Sequence, residues 1–271
     1  MRIVVILGRV LDPDGVVVNR RRGRVFVNRE TYILQPADAG GLEAALRIKD
    51  AGDDGEIEVV ALPRGPLPDD DVLRQALVLG ADRAICPEGF EDADGVDDAA
   101  MVGVLAAAVA RLGDVDLVLT GSTTLDTDQG QLGPRLAEAL GWPQIGGAWQ
   151  VTIADGKVRA ILSGVPEAVT VGADLPALVT VLPGALKRRY PDGVRLINVY
   201  RDVGAIAEAL ERWDVNELVD EAALQPLVEG RGRDFPPERE LGARVDGTLL
   251  EQAQVVADAL RRHRSRQMRR A

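Results

Sequence analysis

The chain is poor in the residues that usually carry chemistry. Its 271 residues include one cysteine, Cys86, and one histidine, His263. A single cysteine excludes an intrachain disulfide and any cysteine-based metal cluster. A single histidine, set in a basic tail, argues against a Ser-His-Asp triad or a multi-histidine metal site. Aromatic residues make up only 3% of the chain. That leaves few rings for stacking on bases, and the core must be built mostly of Val, Leu and Ala. No stretch approaches the ~20 apolar residues of a membrane span. The N-terminal "MRIVVILGRVLDPDG" has too short an apolar run for a secretory signal. The expectation is a soluble, cytoplasmic protein. Cys86, in "RAICPEG", reads as an inert apolar thiol at a strand end.

Acidic residues dominate the charge, with a net −11, which argues against a general nucleic-acid binder. The distribution is uneven, because "RRHRSRQMRR" near the C-terminus carries six arginines. Such a run reads as a solvated, frayed helix end. Apolar residues form 46% of the chain, enough for one large domain or a domain with an appendage. "RIVVIL" (2–7), "EIEVVAL" (56–62), "RAIC" (83–86) and "VDLVLTG" (115–121) read as buried strands. Helical patterns follow each of them, at 36–52, 69–81, 97–113 and 133–141. Acids in the first turn of 69–81 and Pro134 at the start of the last helix suit helix N-termini. Four strand–helix repeats predict an α/β fold of three layers, a parallel sheet with helices on both faces. "GVVVNRRRGRVFVN" (15–28) reads as a surface hairpin. The strands within 148–184, joined by tight turns, read as an antiparallel extension of the sheet. The segment 201–213 is an amphipathic helical pattern, loops follow at 226–240, and 247–267 is a last helix. With few large apolar residues beyond 190, the expected division is an α/β domain at 1–190 and a helical C-terminal arm at 191–271 that packs on another surface.

The unusual stretch is "LDTDQGQLGP", 125–134. It follows a strand and precedes a helix, so it lies where ligands bind in open parallel sheets. Glycines allow close backbone approach, and the helix start offers free N–H groups to an anion. The loop has neither a Walker lysine nor a G-x-G-x-x-G fingerprint. Three readings stand side by side: a phosphate loop, a solvated turn capped by Asp residues, and a catalytic or metal-binding Asp126/Asp128 pair.

Several strings together resemble the β subunit of electron-transfer flavoproteins, the family that includes the FixA proteins. "GRVLD" (Gly8–Asp12) resembles that family's "K-[RQ]-V-x-D" turn, with Gly8 in place of the lysine. "QPADAGGLEAALRIK" (Gln35–Lys49) resembles "N-P-x-D-x-x-A-L-E-A-A-L-x-L-K". "LRQALVLGADRAI" (Leu73–Ile85) resembles "L-R-x-A-L-A-M-G-A-D-x-A-I", and "RRYP" (Arg188–Pro191) resembles "P-R-Y-P". The resemblance covers residues 1 to 191. The nucleotide loop of AMP-binding members has the form "G-K-Q-A-I-D-D-D-x-N-Q-T-G". Members that bind a second FAD and bifurcate electrons have "G-R-Q-A-I-D-G-D-T-A-Q-V-G-P". Here "GSTTLDTDQGQLGP" matches the second form at Asp126, Asp128, Gln131, Gly133 and Pro134. Gly130 and Leu132 replace the Asn and Thr of the AMP form. Ser122, Thr123, Thr127 and Gln129 match neither.

The resemblance implies an electron carrier subunit with no substrate chemistry of its own. It implies FAD at the loop, with AMP as the alternative, in a heterodimer with an α subunit. That dimer would relay electrons from a dehydrogenase to a quinone or ferredoxin acceptor. The implied cofactor site comprises Gly8, Arg9 and Leu62 at the ends of the first two strands, and Gly121, Ser122, Asp126, Asp128, Gln129, Gly130, Gln131, Leu132 and Gly133 along the loop. Arg9 reads equally as a surface ion pair. The implied partner interface is Arg189, Tyr190 and Leu196, against the reading of a solvated basic loop. A universal-stress-like adenine-nucleotide module of the same layered fold is the non-carrier alternative. It would lack both the post-191 segment and the two long strings above.

Overall fold

The computed structural model describes residues 1–52, 57–66, 70–90, 96–163, 167–201, 203–227, 242 and 244–267. Strand β1 (Arg2–Leu7) is β-branched and buried over nearly its whole length, as a strand covered on both faces must be. Short strands β2 (Arg9–Leu11) and β5 (Tyr32–Leu34) pair beside it, and β3 (Val16–Asn19) and β4 (Arg24–Val27) form the expected hairpin. Helix α1 (Pro36–Ala51) leads to β6 (Glu58–Pro63), then α2 (Asp71–Leu79), β7 (Arg83–Glu88) and α3 (Asp98–Leu112). Strand β8 (Leu117–Gly121) precedes α4 (Leu132–Leu140). Long β9 (Gln144–Ala154), β10 (Lys157–Leu162), β11 (Val169–Asp174) and β12 (Ala177–Val181) follow. The chain continues through α5 (Gly193–Tyr200), α6 (Ala205–Glu208), β13 (Leu210–Asp214) and α7 (Leu249–Gln267).

One nine-stranded sheet organises these elements in the order β11-β10-β9-β12-β8-β1-β6-β7-β13. The seven strands from β9 to β13 along that order are parallel, and β10 and β11 extend it antiparallel. One face buries α1 and α2 over Ile3, Val5, Leu42, Leu46 and Leu73. The other buries α3 and α4 over Val4, Ile6, Met101, Leu105 and Leu136. The alternation of β1 side chains between two apolar cores is why the first strand reads as continuously hydrophobic. The chain runs from β1 outward to β6 and β7, then returns to the other side of β1 at β8. That reversal places a topological switch point between the carboxyl ends of β1 and β8.

Two expectations from the sequence are corrected. Strand β12 does not belong to the antiparallel extension; it inserts between β8 and β9, parallel to both. All five of its residues are buried, the pattern of a central strand rather than of one with a solvent face. The segment 201–213 is not one amphipathic helix. After the four-residue α6, Leu210–Asp214 becomes an edge strand along β7. Ion pairs hold it: Arg83 to Glu211 at 2.7 Å, Arg212 to Asp70 at 2.7 Å, and Arg212 to Glu88. Pairing with an open sheet edge outweighs a helical pattern this short. Val215 and Leu224 are then buried in the second core. By compactness the chain divides into one unit at Met1–Arg231 and a second at Gly232–Ala271. In that second unit α7 leaves Leu249, Leu250, Val255, Val256 and Leu260 exposed. The loops expected at 226–240 and the end of the arginine run fall largely outside the described residues. No described helix is long and apolar enough to cross a membrane.

Cys86 sits near the end of β7 at 6% exposure, and burial pushes its thiol pKa up to about 11. A thiol that is both buried and protonated at neutral pH is a poor nucleophile. The folded chain at pH 8 is therefore expected to resist alkylation by iodoacetamide and to take up one equivalent on denaturation. Labelling of the folded chain at the rate of a free thiol would contradict this placement.

Candidate nucleotide site

The switch point is closed by one carboxylate. Asp38 lies in the first turn of α1 and is fully buried. Its Oδ2 accepts from the backbone N–H of Gly8 at 2.9 Å, just past β1. Its Oδ1 accepts from the backbone N–H of Gly121 at 2.8 Å, the last residue of β8. The Arg64 guanidinium, following β6, donates to both oxygens, from Nη2 at 2.9 Å and Nε at 3.2 Å. Arg64 Nη2 also reaches Thr120 Oγ1 at 3.1 Å. Burial opposes the charge on Arg64, but the Asp38 carboxylate outweighs it and holds the guanidinium above its ordinary range. Three strand ends are thus tied together beneath the crevice by a forked ion pair with its lone pairs satisfied.

The loop after β8 rises from this floor. Ser122 N–H donates to Val181 O at 2.9 Å, anchoring the loop to β12. Gln35, 3% exposed, reaches Thr123 O from the opposite wall at 3.4 Å. The tip closes on Thr124, whose carbonyl accepts from Asp128 N–H at 2.9 Å. Its hydroxyl contacts Thr127 Oγ1 at 2.6 Å and accepts from Gln129 N–H at 3.3 Å. Asp126 Oδ1 accepts from Thr127 N–H at 2.8 Å. Asp128 adopts a left-handed φ of 53°, a conformation that Asp tolerates better than most residues. Both Asp126 and Asp128 are exposed, and Asp126 is engaged in local loop bonding. No group of three or more His, Cys, Asp or Glu side chains that would hold a metal occurs among the described residues.

The N–H groups of Gly130, Gln131, Leu132 and Gly133 have no hydrogen-bond partner among the described residues. They enter the first turn of α4, where the helix cannot supply acceptors. The N–H groups of Asp128 and Gln129, by contrast, are used inside the loop. Nearby, Ser122 Oγ is buried and likewise has no partner. A buried hydroxyl without a partner is costly in a finished core and expected where a ligand completes the site. This fits an anionic oxygen group bound by main-chain N–H groups at a helix start.

The glycines and Leu132 do work the sequence did not show. A Cβ on Gly130 would stand 2.5 Å from Ser122 O, so this residue closes the loop on itself. A Cβ on Gly133 would stand 2.6 Å from Thr180 Cγ2 and 3.1 Å from Thr120 Cγ2, so this glycine seats α4 on β12 and β8. Leu132 is 1% exposed and packs in the second core, offering a ligand only its backbone. Leu62, at 0% exposure, is equally a core residue. Arg9 stacks on the Tyr32 ring at 4.0 Å. Asp38, Arg64 and Gln35 were not singled out from the sequence. Asp38 stands in the quoted Gln35–Lys49 string, but a lone acid in a first helical turn reads as dipole compensation.

At the expected partner surface the three residues differ. Arg189 is tied into its own chain, to Glu43 at 3.0 Å and Asp50 at 2.8 Å. Burial pushes Glu43 up, but hydrogen bonds from Arg47 and Arg189 win and hold it below the ordinary glutamate range. A lowered folded pKa stabilises the fold at neutral pH and loses that contribution as pH falls through it. Tyr190 is 88% exposed, and Leu196, on α5, is 41% exposed.

Removing one partner of a buried, hydrogen-bonded ion pair leaves an uncompensated charge and costs about 3–5 kcal/mol. Asp38→Ala is expected to destabilise the chain by that order in urea unfolding, and Asp126→Ala by less than about 1 kcal/mol. Equal effects would remove Asp38 from its place as the tie.

Comparison with known proteins agrees with this architecture. Residues 24–210 match the family model described as the electron transfer flavoprotein domain. The caffeyl-CoA reductase–Etf complex subunit CarD of Acetobacterium woodii is 29% identical over 93% of this chain and 94% of its own length. Protein FixA of Rhizobium meliloti is 30% identical, covering 96% of this chain and 90% of its own. The electron transfer flavoprotein subunit beta of Bacillus subtilis is 28% identical, covering 96% and 98%. The chain therefore belongs to the electron transfer flavoprotein family, as a β-subunit, FixA-like member.

Proposed function

We propose that this chain holds FAD by its phosphates at the 122–133 loop. As one half of a heterodimer with a flavoprotein α subunit, it passes electrons from a dehydrogenase toward a quinone- or ferredoxin-linked acceptor, by flavin-based bifurcation. The observation that carries the reading is the row of unpaired N–H groups at residues 130–133 above the Asp38–Arg64 floor. A flavin bound there would supply the redox chemistry. The chain's own residues hold the phosphates, orient the cofactor and exclude water from beneath it. Backbone-only recognition favours a diphosphate over the single terminal phosphate of AMP. Gly130 has no room for a side chain, and Leu132 turns its own into the core, so neither position presents a side-chain donor. The names of relatives support a place in a multi-subunit redox assembly. One is a subunit of a caffeyl-CoA reductase–Etf complex, and another is the acryloyl-CoA reductase electron transfer subunit gamma of Anaerotignum propionicum.

Partner binding is supported by unpartnered apolar surface. Tyr190, Val194 and Ile197 are exposed on and before α5, and α7 exposes five large aliphatic side chains. An amphipathic helix with its apolar face in water gains from covering it.

Co-expression with its α subunit, followed by denaturation and quantitation of released cofactors, tests the cofactor assignment. Two flavins per heterodimer are expected. One flavin together with one AMP would replace FAD by AMP at this loop. Gly130→Val is expected to release the β-side cofactor and leave the other flavin in place, because the loop cannot close around Ser122 O. An unchanged cofactor content in that variant would contradict the site.

A further inference from the structure

The β3–β4 ribbon lacks the composition of a solvated hairpin. Its strands pair Val16 with Val27, Val17 with Phe26 and Val18 with Val25. Side chains alternate across a strand, so Val18, Val25 and Val27 share one face and Val17 and Phe26 the other. All five are exposed, between 40% and 55%. A ribbon with one solvated face alternates apolar with polar residues; this one is apolar on both. Its charge is equally one-sided. From Gly15 to Arg29 the sequence has five arginines and no acid, in a chain of net charge −11. Arg21, Arg22 and Arg24, at and beside the turn, are exposed, and their guanidinium groups have no ion pair among the described residues. The base, by contrast, is fixed. Asn28 N–H donates to Gly15 O at 2.9 Å, and Asp12 N–H donates to Thr31 O at 2.8 Å. Arg29 pairs with Asp12 at 3.3 Å, and a Cβ on Gly15 would collide with the Arg29 carbonyl oxygen. Strands β2 and β5 join that base to the crevice, where Gln35 N–H donates to Gly8 O at 2.8 Å.

We propose that this ribbon is a docking finger for an acidic protein, whose cleft clasps both apolar faces and whose carboxylates meet the arginine turn. Apolar residues on both faces call for a cleft, because a flat surface covers only one. Charge complementarity selects the acidic partner: unpaired arginines on an otherwise acidic chain attract carboxylates and speed the encounter. A bilayer suits the ribbon less. Entering tip first would carry arginines into hydrocarbon ahead of the valines, and lying flat would leave one apolar face in water. Nucleic acid would be repelled by the acidic remainder of the chain. The stem beside the crevice sets the docked protein next to the nucleotide site. The proposal therefore deepens the reading above, on which it rests for the partner's role: the acidic protein is the electron acceptor.

The test uses the full heterodimer with its cofactors. The probe is a ferredoxin of strongly negative net charge, and its association and dissociation are followed by surface plasmon resonance at low and at high salt. The wild type is expected to bind, with an association rate that falls steeply as salt screens the arginines. The triple variant Arg21→Glu, Arg22→Glu, Arg24→Glu is expected to lose roughly tenfold or more in that rate at low salt and to approach the wild type at high salt. Phe26→Ser is expected to leave the association rate within about twofold and to raise the dissociation rate by about tenfold. Both variants are expected to keep the α subunit and the full cofactor content. Unchanged binding in either variant overturns the proposal. A variant that no longer pairs with the α subunit would make the ribbon part of the subunit interface. One that splits a dimer of heterodimers would make it a self-association surface. Either result overturns the acidic partner. A wild type that does not bind ferredoxin overturns it as well, whether or not it binds phosphatidylglycerol vesicles. These failures leave the count of two flavins per heterodimer untouched, so the docking surface and the cofactor assignment fall separately.

Discussion

The structure depends on the Asp38 carboxylate at the point where the sheet reverses its winding. Parallel strands end with unpaired backbone groups, and a crevice opens wherever neighbouring strands send their chains to opposite faces. Here that crevice has a fixed floor. Two backbone N–H groups, from the ends of β1 and β8, and a forked guanidinium after β6 converge on one buried side chain. With four donors satisfied, the buried charge is compensated, and the desolvation that makes an isolated internal carboxylate expensive is largely offset. Loss of any one donor would leave the others around an unbalanced charge. The arrangement therefore gives the site a single geometry.

A rigid floor determines what the loop above it does. The tip is closed by its own contacts, among them Thr124 with Thr127, the Asp126 carboxylate and the Asp128 N–H. Gly133 lets α4 approach the sheet closely, which fixes where its free N–H groups lie relative to Ser122. Among the described residues, the main-chain N–H groups of 130–133 and the buried Ser122 hydroxyl are left without partners. A site of donors calls for a ligand of acceptors, and phosphate is the richest small one.

Much of the fold was legible in the sequence because the signals were local. The β-branched runs at 2–7 and 115–121 and the helices between them follow from periodicity and length. The loop at 125–134 announced itself by composition and by its position between strand and helix. The parts that were not legible depend on contacts far apart in the chain. The paired strand at Leu210–Asp214 exists because β7 offers an edge 126 positions earlier, and Arg83 with Asp70 supplies the charges that hold it. Its own sequence, "LERWD", has no such information. Likewise Asp38 and Arg64 are unremarkable singly, one an acid in a first helical turn and the other an arginine in a Pro-Gly turn. Only the topology brings them together. Gly130 reads in the sequence as a place where the backbone comes close to a ligand; what lies close to it in the fold is the chain's own Ser122 carbonyl.

The central claim is that the N–H groups of residues 130–133 receive the phosphates of a nucleotide. Amide hydrogen exchange across 122–136 in the heterodimer, with the nucleotide bound and after its removal, tests it directly. The amides of Gly130, Gln131, Leu132 and Gly133 should gain protection on binding, and those of Asp128 and Gln129, already bonded inside the loop, should change little. Protection that is unchanged at 130–133, or that appears elsewhere in the chain instead, would contradict the account.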